Sequence, residues 1–151
     1  MRWTRGRVDV DRLLAEGRLE RISGTASDGS RLLRSAEGLL ASARREEESN
    51  PEAAYVLAYD TARKAATSLV AQQGLRSKST GHHVTVEAVV RAQFGGPFDA
   101  FGALRRRRSE IEYPQRPGDD IAPAEAKEAI AAADRILEAA RLLRPQLELY
   151  R

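Results

Sequence analysis

The sequence predicts an all-α protein, a bundle of four to five helices joined by short loops. Two observations carry this prediction. Apolar residues recur at the three- and four-residue spacing of a helix face through most of the 151 residues. Glycine and proline stand where these stretches begin and end, as at Asn50-Pro51 and Gly74. A chain of this length is expected to form one domain with a buried core.

Two helices are expected before residue 50. The first is short and amphipathic, spans residues 8–16 and ends at Gly17. A turn over residues 23–27 follows, in which Ser27 is expected to be the N-cap of the second helix. That helix reaches about Glu47 and has an apolar stripe that contains Leu32, Leu33, Ala36, Leu39, Leu40 and Ala43.

The third helix has the clearest boundary signals in the chain. Asn50 is a favourable N-cap, Pro51 suits the first helical turn, and Gly74 stops the helix after about Gln73. Residues 75–82 are then expected to form a polar, basic loop. The inward side of the third helix is expected to contain Tyr55, Tyr59, Ala62, Ala66, Leu69 and Val70.

Three further segments complete the predicted bundle. Residues 84–94 form a shorter helix, although their valine spacing is also compatible with a strand. Residues 98–113 form the next helix, which Pro114 ends. Pro123 opens the last helix, and the tail from Pro145 is expected to fray. The buried side of the last helix is expected to contain Ala126, Ile130, Ala133, Ile136 or Leu137, Ala140 and Leu143.

Composition restricts the chemistry and the cellular setting. Because the chain has no cysteine, disulfides, zinc–thiolate sites and cysteine nucleophiles are excluded. No secretory signal and no apolar run of membrane-spanning length is visible, so we expect a cytoplasmic protein without a membrane partner. The P-loop, dinucleotide and HExxH motifs are missing as well, so neither a cofactor nor a metal is expected.

Arginine dominates the positive charge of the chain. The formal net charge is +3, and only three of the 25 basic residues are lysines. Arginine binds phosphate through a planar fork and stays charged at neutral pH, so nucleic acid is an expected partner. A coding bias toward arginine and alanine explains the same composition equally well, and both interpretations stay open.

The strongest functional signal is the segment LRRRRSEIEYP, residues 104–114. On a helix, Phe101, Leu104 and Ile111 share one face, and Arg108 occupies the missing position of that apolar stripe. Burial of a guanidinium costs several kcal/mol, of order 2–5, unless the group is paired or used. Arg108 is therefore expected to face a functional site or an interface.

A neighbouring face of the same helix carries Arg106, Ser109 and Tyr113. Fixed positive charge beside hydroxyl groups can hold an RNA phosphate or stabilise the negative charge that develops during backbone cleavage. For Arg105 and Arg107 the preferred interpretation is different: Glu110 and Glu112 are expected to neutralise these two arginines in intrahelical pairs.

The only two histidines, His82 and His83, adjoin the predicted basic loop. Acid–base chemistry or phosphate contact is the functional interpretation, and helix capping with loop packing is the preferred one. Lys78 in the loop is a candidate phosphate ligand, with an ordinary solvated loop as the preferred alternative. A histidine pair without a nearby carboxylate is a weak metal signal.

The helical layout, the Gly81-His82-His83 loop before a mid-chain helix, and the RRRRSEIEYP segment before the last helix together resemble HEPN-domain proteins. The nearest likeness is to short bacterial HEPN proteins that are encoded beside nucleotidyltransferase or other antitoxin partners. The resemblance covers roughly residues 32–143 and implies a bundle that forms a homodimer. It further implies a single domain over residues 1–151, with a short helix and turn (1–26), the bundle (27–144) and a tail (145–151).

Active members of this family carry an arginine followed by a polar residue, then a histidine after four to six positions, and cut RNA without metal. Here Arg108 and Ser109 fit the start of that motif, and Tyr113 stands where the histidine is expected. In a second register Arg106 aligns with the arginine, Ile111 takes the place of the histidine, and Tyr113 is the closing tyrosine. The motif histidine is absent in both registers.

The resemblance therefore implies a toxin or defence component that acts on RNA as a metal-independent ribonuclease. Two alternatives stay open: a catalytically inactive module that binds a partner protein or nucleic acid, and nucleotidylation of Tyr113 by a partner antitoxin. A purely structural bundle also stays open. The implied catalytic residues are Arg108, Tyr113 and Ser109, and the implied substrate-binding residues are Arg106, Arg105, His82, His83 and Lys78.

Overall fold

The computed structural model describes residues 3–78 and 82–151, except for the side chains of Thr25 and His82. The described part is mainly helical, which confirms the all-α class. It contains six α-helices, which are the predicted short N-terminal helix and five helices within residues 27–144, and a small two-stranded sheet that was not predicted. The helices are α1 (Arg7–Ala15), α2 (Ser30–Glu46), α3 (Pro51–Gln72), α4 (His82–Phe94), α5 (Phe101–Glu112) and α6 (Pro123–Leu143). The strands are β1 (Leu19–Arg21) and β2 (Leu75–Ser77), and 3₁₀ turns cover Gly24–Ser27, Gly96–Ala100 and Arg144–Gln146.

Helix α3 is the centre of the bundle. It packs against α2 and α6 most extensively, and it also contacts α4 and α5. All six residues that were predicted to face inward are buried. Two polar residues, Thr61 and Ser68, are fully buried as well, and their hydroxyls donate to backbone carbonyls one turn earlier in the same helix. These hydroxyls are therefore satisfied without a partner from another helix.

The predicted boundaries of α3 are confirmed. The side-chain oxygen of Asn50 accepts a hydrogen bond from the N–H of Ala53 at 3.2 Å, and Pro51 is the first helical residue. Gly74 follows the helix with φ +69°, a left-handed conformation that favours glycine.

The predicted cap of α2 is wrong. Ser27 belongs to a 3₁₀ turn, where its hydroxyl donates to the carbonyl of Gly24 at 2.7 Å. Helix α2 begins three residues later at Ser30, whose N–H donates to Asp28 at 2.9 Å. Serine and aspartate are both good partners for a free N–H at a helix start, so composition alone did not distinguish the two positions.

The predicted loop over residues 75–82 is wrong at its start, and its residues 79–81 lie outside the described part of the structure. Leu75–Ser77 forms β2, which pairs antiparallel with β1, so that Leu19 lies opposite Ser77 and Arg21 opposite Leu75. Both leucines are buried against the bundle. A three-residue strand is too short to show an alternating pattern, and its partner lies far away in the sequence. Neither strand could therefore be predicted from the sequence.

The C-terminal tail is packed, contrary to the predicted fraying. Leu147 and Tyr150 are buried. The Tyr150 N–H donates to the carbonyl of Gln73 at 2.9 Å, and the Tyr150 hydroxyl donates to Asp11 at 2.6 Å. These contacts attach the tail to α1 and to the end of α3, and a pattern confined to the tail itself does not reveal them.

Helix α5 is shorter than the predicted helix over residues 98–113, because residues 96–100 form a 3₁₀ turn. Phe98 in this turn and Phe101 at the start of α5 are both fully buried. The ring of Phe101 meets the ring of Tyr59 edge-on, with 6.0 Å between ring centres. Leu104 is buried on the same face. This apolar contact fixes α5 on the bundle and thereby positions the arginines that follow.

Candidate functional site

Arg108 lies on the bundle-facing side of α5, as the stripe position predicted. Its guanidinium carbon is 6.0 Å from the ring centre of Tyr59, and its side chain is 31% exposed. One guanidinium nitrogen, Nη1, binds the carboxylate of Glu112 one turn later. The Nε atom is buried without a hydrogen-bond partner among the described residues. Arg108 is therefore a half-buried cation with one exposed ion pair.

Tyr59 connects Arg108 with a histidine. The ring of Tyr59 is fully buried, and its hydroxyl is hydrogen-bonded to Nδ1 of His83 on α4. The centres of these two rings are 5.6 Å apart. Three helices thus bring Arg108, Tyr59 and His83 together, and we call these residues the Arg108 cluster. The side chain of His82, the other candidate histidine, lies outside the described part of the structure.

The phenol of Tyr59 is protonated at neutral pH. Burial raises the pKa of Tyr59 to about 12, and the positive charges of Arg63 and Arg108 oppose that rise. Burial likewise raises the pKa of Tyr55 to about 12. Tyr59 therefore serves the cluster as a neutral hydrogen-bonding ring and not as a base.

This pKa shift predicts a loss of stability in alkali. Unfolded tyrosine ionises near pH 10, whereas folded Tyr59 ionises near pH 12, so the stabilisation is complete below pH 10 and is lost as the pH rises to 12. We expect the difference in the free energy of unfolding between the wild type and Tyr59→Phe to shrink by about 2 kcal/mol across this range. Urea unfolding of both proteins at about pH 8 and at about pH 12 measures this change in the free-energy difference. An equal difference at both pH values would contradict the prediction.

Arg105 binds a carboxylate on another helix, which corrects the predicted intrahelical pair. Its Nε lies 2.8 Å from Oε2 of Glu87 on α4. The Glu87 side chain is only 9% exposed and also lies 3.5 Å from Arg91. Gly102 leaves room for this carboxylate, because a Cβ at that position would lie 2.5 Å from Glu87. Arg105 therefore fastens α5 to α4 with its charge compensated.

Arg107 is held by three carboxylates, only one of which was predicted. It binds Glu110 in its own helix at 2.8 Å, Asp119 in the following loop at 3.0 Å, and Glu125 at the start of α6 at 2.7 Å. These hydrogen bonds, that of Glu125 foremost, hold the pKa of Arg107 above its usual range. Arg107 therefore links α5 to α6 through these ion pairs.

The second predicted face forms a separate surface. Arg106, Ser109 and Tyr113 line one open concavity of about 310 Å³, of which Arg108 is not a lining residue. Tyr113 is 67% exposed. Lys78 is exposed just after β2, and within the described part of the chain it lines neither this concavity nor the Arg108 cluster. The lining of the concavity, which we call the Tyr113 concavity, is Arg105, Arg106, Ser109, Glu110, Tyr113 and Gln115.

Sequence reasoning missed two residues of this region. Tyr59 was placed in the core, but its contact with His83 and Arg108 was not foreseen. Glu87 was not singled out, although it lies on the same helix face as Val90 and Phe94, both buried. A carboxylate on an apolar helix face is a usable signal, because burial of an unpaired charge is costly and such a group must find a cation.

The structure describes no group of three or more His, Cys, Asp or Glu residues that could hold a metal ion. In the same residues, no helix combines the length and apolar character that crossing a bilayer requires.

Comparisons of the chain with models of known families, with curated proteins and with solved structures find no match. The resemblance to HEPN proteins therefore stays a prediction from the helical layout, the Gly81-His82-His83 loop and the RRRRSEIEYP segment.

Proposed function

We propose that the protein acts on RNA and that the Arg108 cluster binds the backbone phosphate at which the RNA is cut without a metal. One observation carries this proposal. The half-buried Arg108 lies over Tyr59, and the hydroxyl of Tyr59 binds His83. A guanidinium and an imidazole from separate helices thus share one aromatic support, and an arginine with an imidazole is a suitable pair for phosphodiester chemistry.

The proposed chemistry is attack of a ribose 2′-hydroxyl on the adjacent phosphorus. The 2′-oxygen loses its proton and bonds to phosphorus, the bond from phosphorus to the 5′-oxygen breaks, and the leaving oxygen takes up a proton. Negative charge grows on the non-bridging oxygens during this step, and Arg108 stabilises it. His83 accepts the proton of the 2′-hydroxyl and then gives a proton to the leaving 5′-oxygen, while the buried Tyr59 keeps Arg108 and His83 in place.

Among the three arginines that the structure places against the bundle, Arg108 is the one best suited to bind a phosphate. Arg105 is bound to the buried Glu87, and Arg107 is bound to three carboxylates. Arg108 has only the exposed Glu112 as its ion-pair partner among the described residues. An exposed pair of this kind stabilises a protein by about 0.3–0.5 kcal/mol, so a phosphate can readily replace the carboxylate.

The HEPN resemblance agrees with this assignment of roles. The α5 motif lacks its histidine, and in our proposal His83 on α4 takes the role of that residue. A toxin or defence role in the bacterial cytoplasm, a cognate antitoxin, and a homodimer that pairs two α5 helices are further parts of the proposal. In such a dimer two Arg108 side chains would face one shared cleft.

Cleavage of end-labelled single-stranded RNA in EDTA tests the proposal. We expect the wild type to cut the RNA and Arg108→Ala and His83→Gln to cut it far more slowly. An RNA with a 2′-deoxy sugar at the cut position is expected to resist, because the attacking hydroxyl is missing. If the wild type binds RNA without cutting it, the protein is the inactive binding module instead.

A second function is supported by the exposure of Tyr113. Its phenol lies in solvent beside the exposed Arg106, where a nucleotide phosphate can approach it. In this function the phenol oxygen attacks the α-phosphorus of a nucleoside triphosphate bound to a partner transferase, loses its proton and releases pyrophosphate. Intact-mass spectrometry after co-expression with a nucleotidyltransferase would show an added nucleotidyl group that Tyr113→Phe lacks. An unchanged mass would rule against this function.

A further inference from the structure

The Tyr113 concavity continues into a second open concavity of about 360 Å³. Glu110 and Gln115 line both, so the two form one surface from Arg106 on α5 to Arg116 in the following loop. Tyr113 lies between these two arginines in the chain. This surface carries no step of the cleavage chemistry proposed above, and its most exposed feature is an aromatic ring.

Tyr113 is held at a fixed point although its ring is exposed. Its N–H donates to the carbonyl of Ser109 at 2.9 Å and closes the last turn of α5. Its backbone has φ −126° and ψ 74°, outside the α region that the following Pro114 disfavours. Because the backbone is fixed and a tyrosine has only two side-chain torsions, little entropy is lost when a ligand covers the ring.

Two arginines of this surface are available to bind the phosphates of a ligand. Arg106 and Arg116 are exposed, and neither forms an ion pair with a described residue. The two acidic residues of the surface, Glu110 and Asp119, are both bound to Arg107. Tyr113 therefore lies in the chain between two arginines that have no ion-pair partner among the described residues, whereas Arg107 is shared by Glu110, Asp119 and Glu125 and offsets only one of their three charges.

We propose that this surface binds single-stranded RNA, with a base stacked on Tyr113 and the neighbouring phosphates on Arg106 and Arg116. The inference rests on the proposed function and specifies its substrate as unpaired RNA. Aromatic side chains bind unpaired bases through their faces, which a base inside a duplex does not offer, while arginine binds phosphate without regard to sequence. The strand would then lie along the helix that also carries Arg108.

Fluorescence anisotropy with labelled oligomers of about twelve nucleotides tests the stacking contact. The probes are an oligoadenylate, an abasic oligomer of the same length and an RNA duplex. We expect Tyr113→Ala to weaken binding of the oligoadenylate about 10- to 100-fold and Tyr113→Phe to weaken it by about twofold or less. The abasic oligomer is expected to bind the wild type and Tyr113→Ala equally, because it has no base to stack.

The phosphate contacts are tested separately from the stacking contact. Arg106→Ala and Arg116→Ala are expected to weaken binding of both single-stranded oligomers and to lower the salt dependence by about 0.7 each. Arg12→Ala on α1 is the control and is expected to bind like the wild type.

If Tyr113→Ala binds oligoadenylate like the wild type, or if the wild type prefers the duplex, the stacking proposal is wrong while the proposal of RNA cleavage can still stand. If the wild type binds no RNA, both proposals fail.

Discussion

Arg108→Ala is expected to slow RNA cleavage by about 100- to 1,000-fold, the usual effect of removing one group that stabilises developing negative charge. The fold is expected to survive the change. Arg108 is 31% exposed, and its ion pair with Glu112 lies within one helix, so its removal leaves no charge buried without a partner. Single-turnover cleavage of end-labelled RNA in EDTA gives the rate, and circular dichroism gives the helix content.

Two variants separate the geometry of Arg108 from its charge. Arg108→Lys keeps a cation but loses the planar fork, so we expect a rate between those of the wild type and Arg108→Ala. Arg12→Ala is the matched control, because Arg12 on α1 also pairs with a glutamate four residues later and is half exposed. It is expected to cleave RNA like the wild type. Cleavage by Arg108→Ala at the wild-type rate would place the active site elsewhere.

Phe101→Ala is expected to lower the free energy of unfolding by about 3–5 kcal/mol. Phe101 is fully buried and meets Tyr59 edge-on, so truncation removes apolar burial and leaves a cavity beneath α5. Domains of this kind are stable by about 5–15 kcal/mol, so the change removes a large share of the total. Because Arg108 lies two turns along the same helix, RNA cleavage is expected to fall as well.

Urea unfolding followed by far-UV circular dichroism measures this effect. Phe101→Leu keeps most of the buried volume and is expected to cost about 1–1.5 kcal/mol. Ala103 is exposed on the same helix, so Ala103→Ser is expected to change stability by at most about 0.5 kcal/mol. A loss below about 1 kcal/mol for Phe101→Ala would mean that α5 is not held by this contact.

Several helix boundaries could be predicted from sequence because their signals are local. The Asn50 cap, the first-turn prolines of α3 and α6, and Gly74 after α3 act on backbone groups within a few residues of themselves. The position of Arg108 was predictable for the same reason. Helix geometry alone places it in the stripe with Phe101 and Leu104 once the segment is helical.

Two of the errors concern contacts between distant parts of the chain. Strand β2 exists because it pairs with β1, and the tail is ordered because Tyr150 reaches Asp11 and Gln73. In both cases the short segment lacks a periodicity of its own. Its conformation is stabilised by a partner that only the folded bundle brings within reach.

The sequence by itself determined the helical class, the boundaries of α3 and the bundle-facing position of Arg108, because each follows from hydrogen bonding and side-chain spacing within one segment. Only the tertiary structure decided which residues of other helices Arg108 contacts. Packing of α3 against α4 and α5 places Tyr59 between Arg108 and His83, while Arg105 is bound by Glu87. Such contacts depend on how separate helices are oriented in space, which no pattern within a single helix specifies.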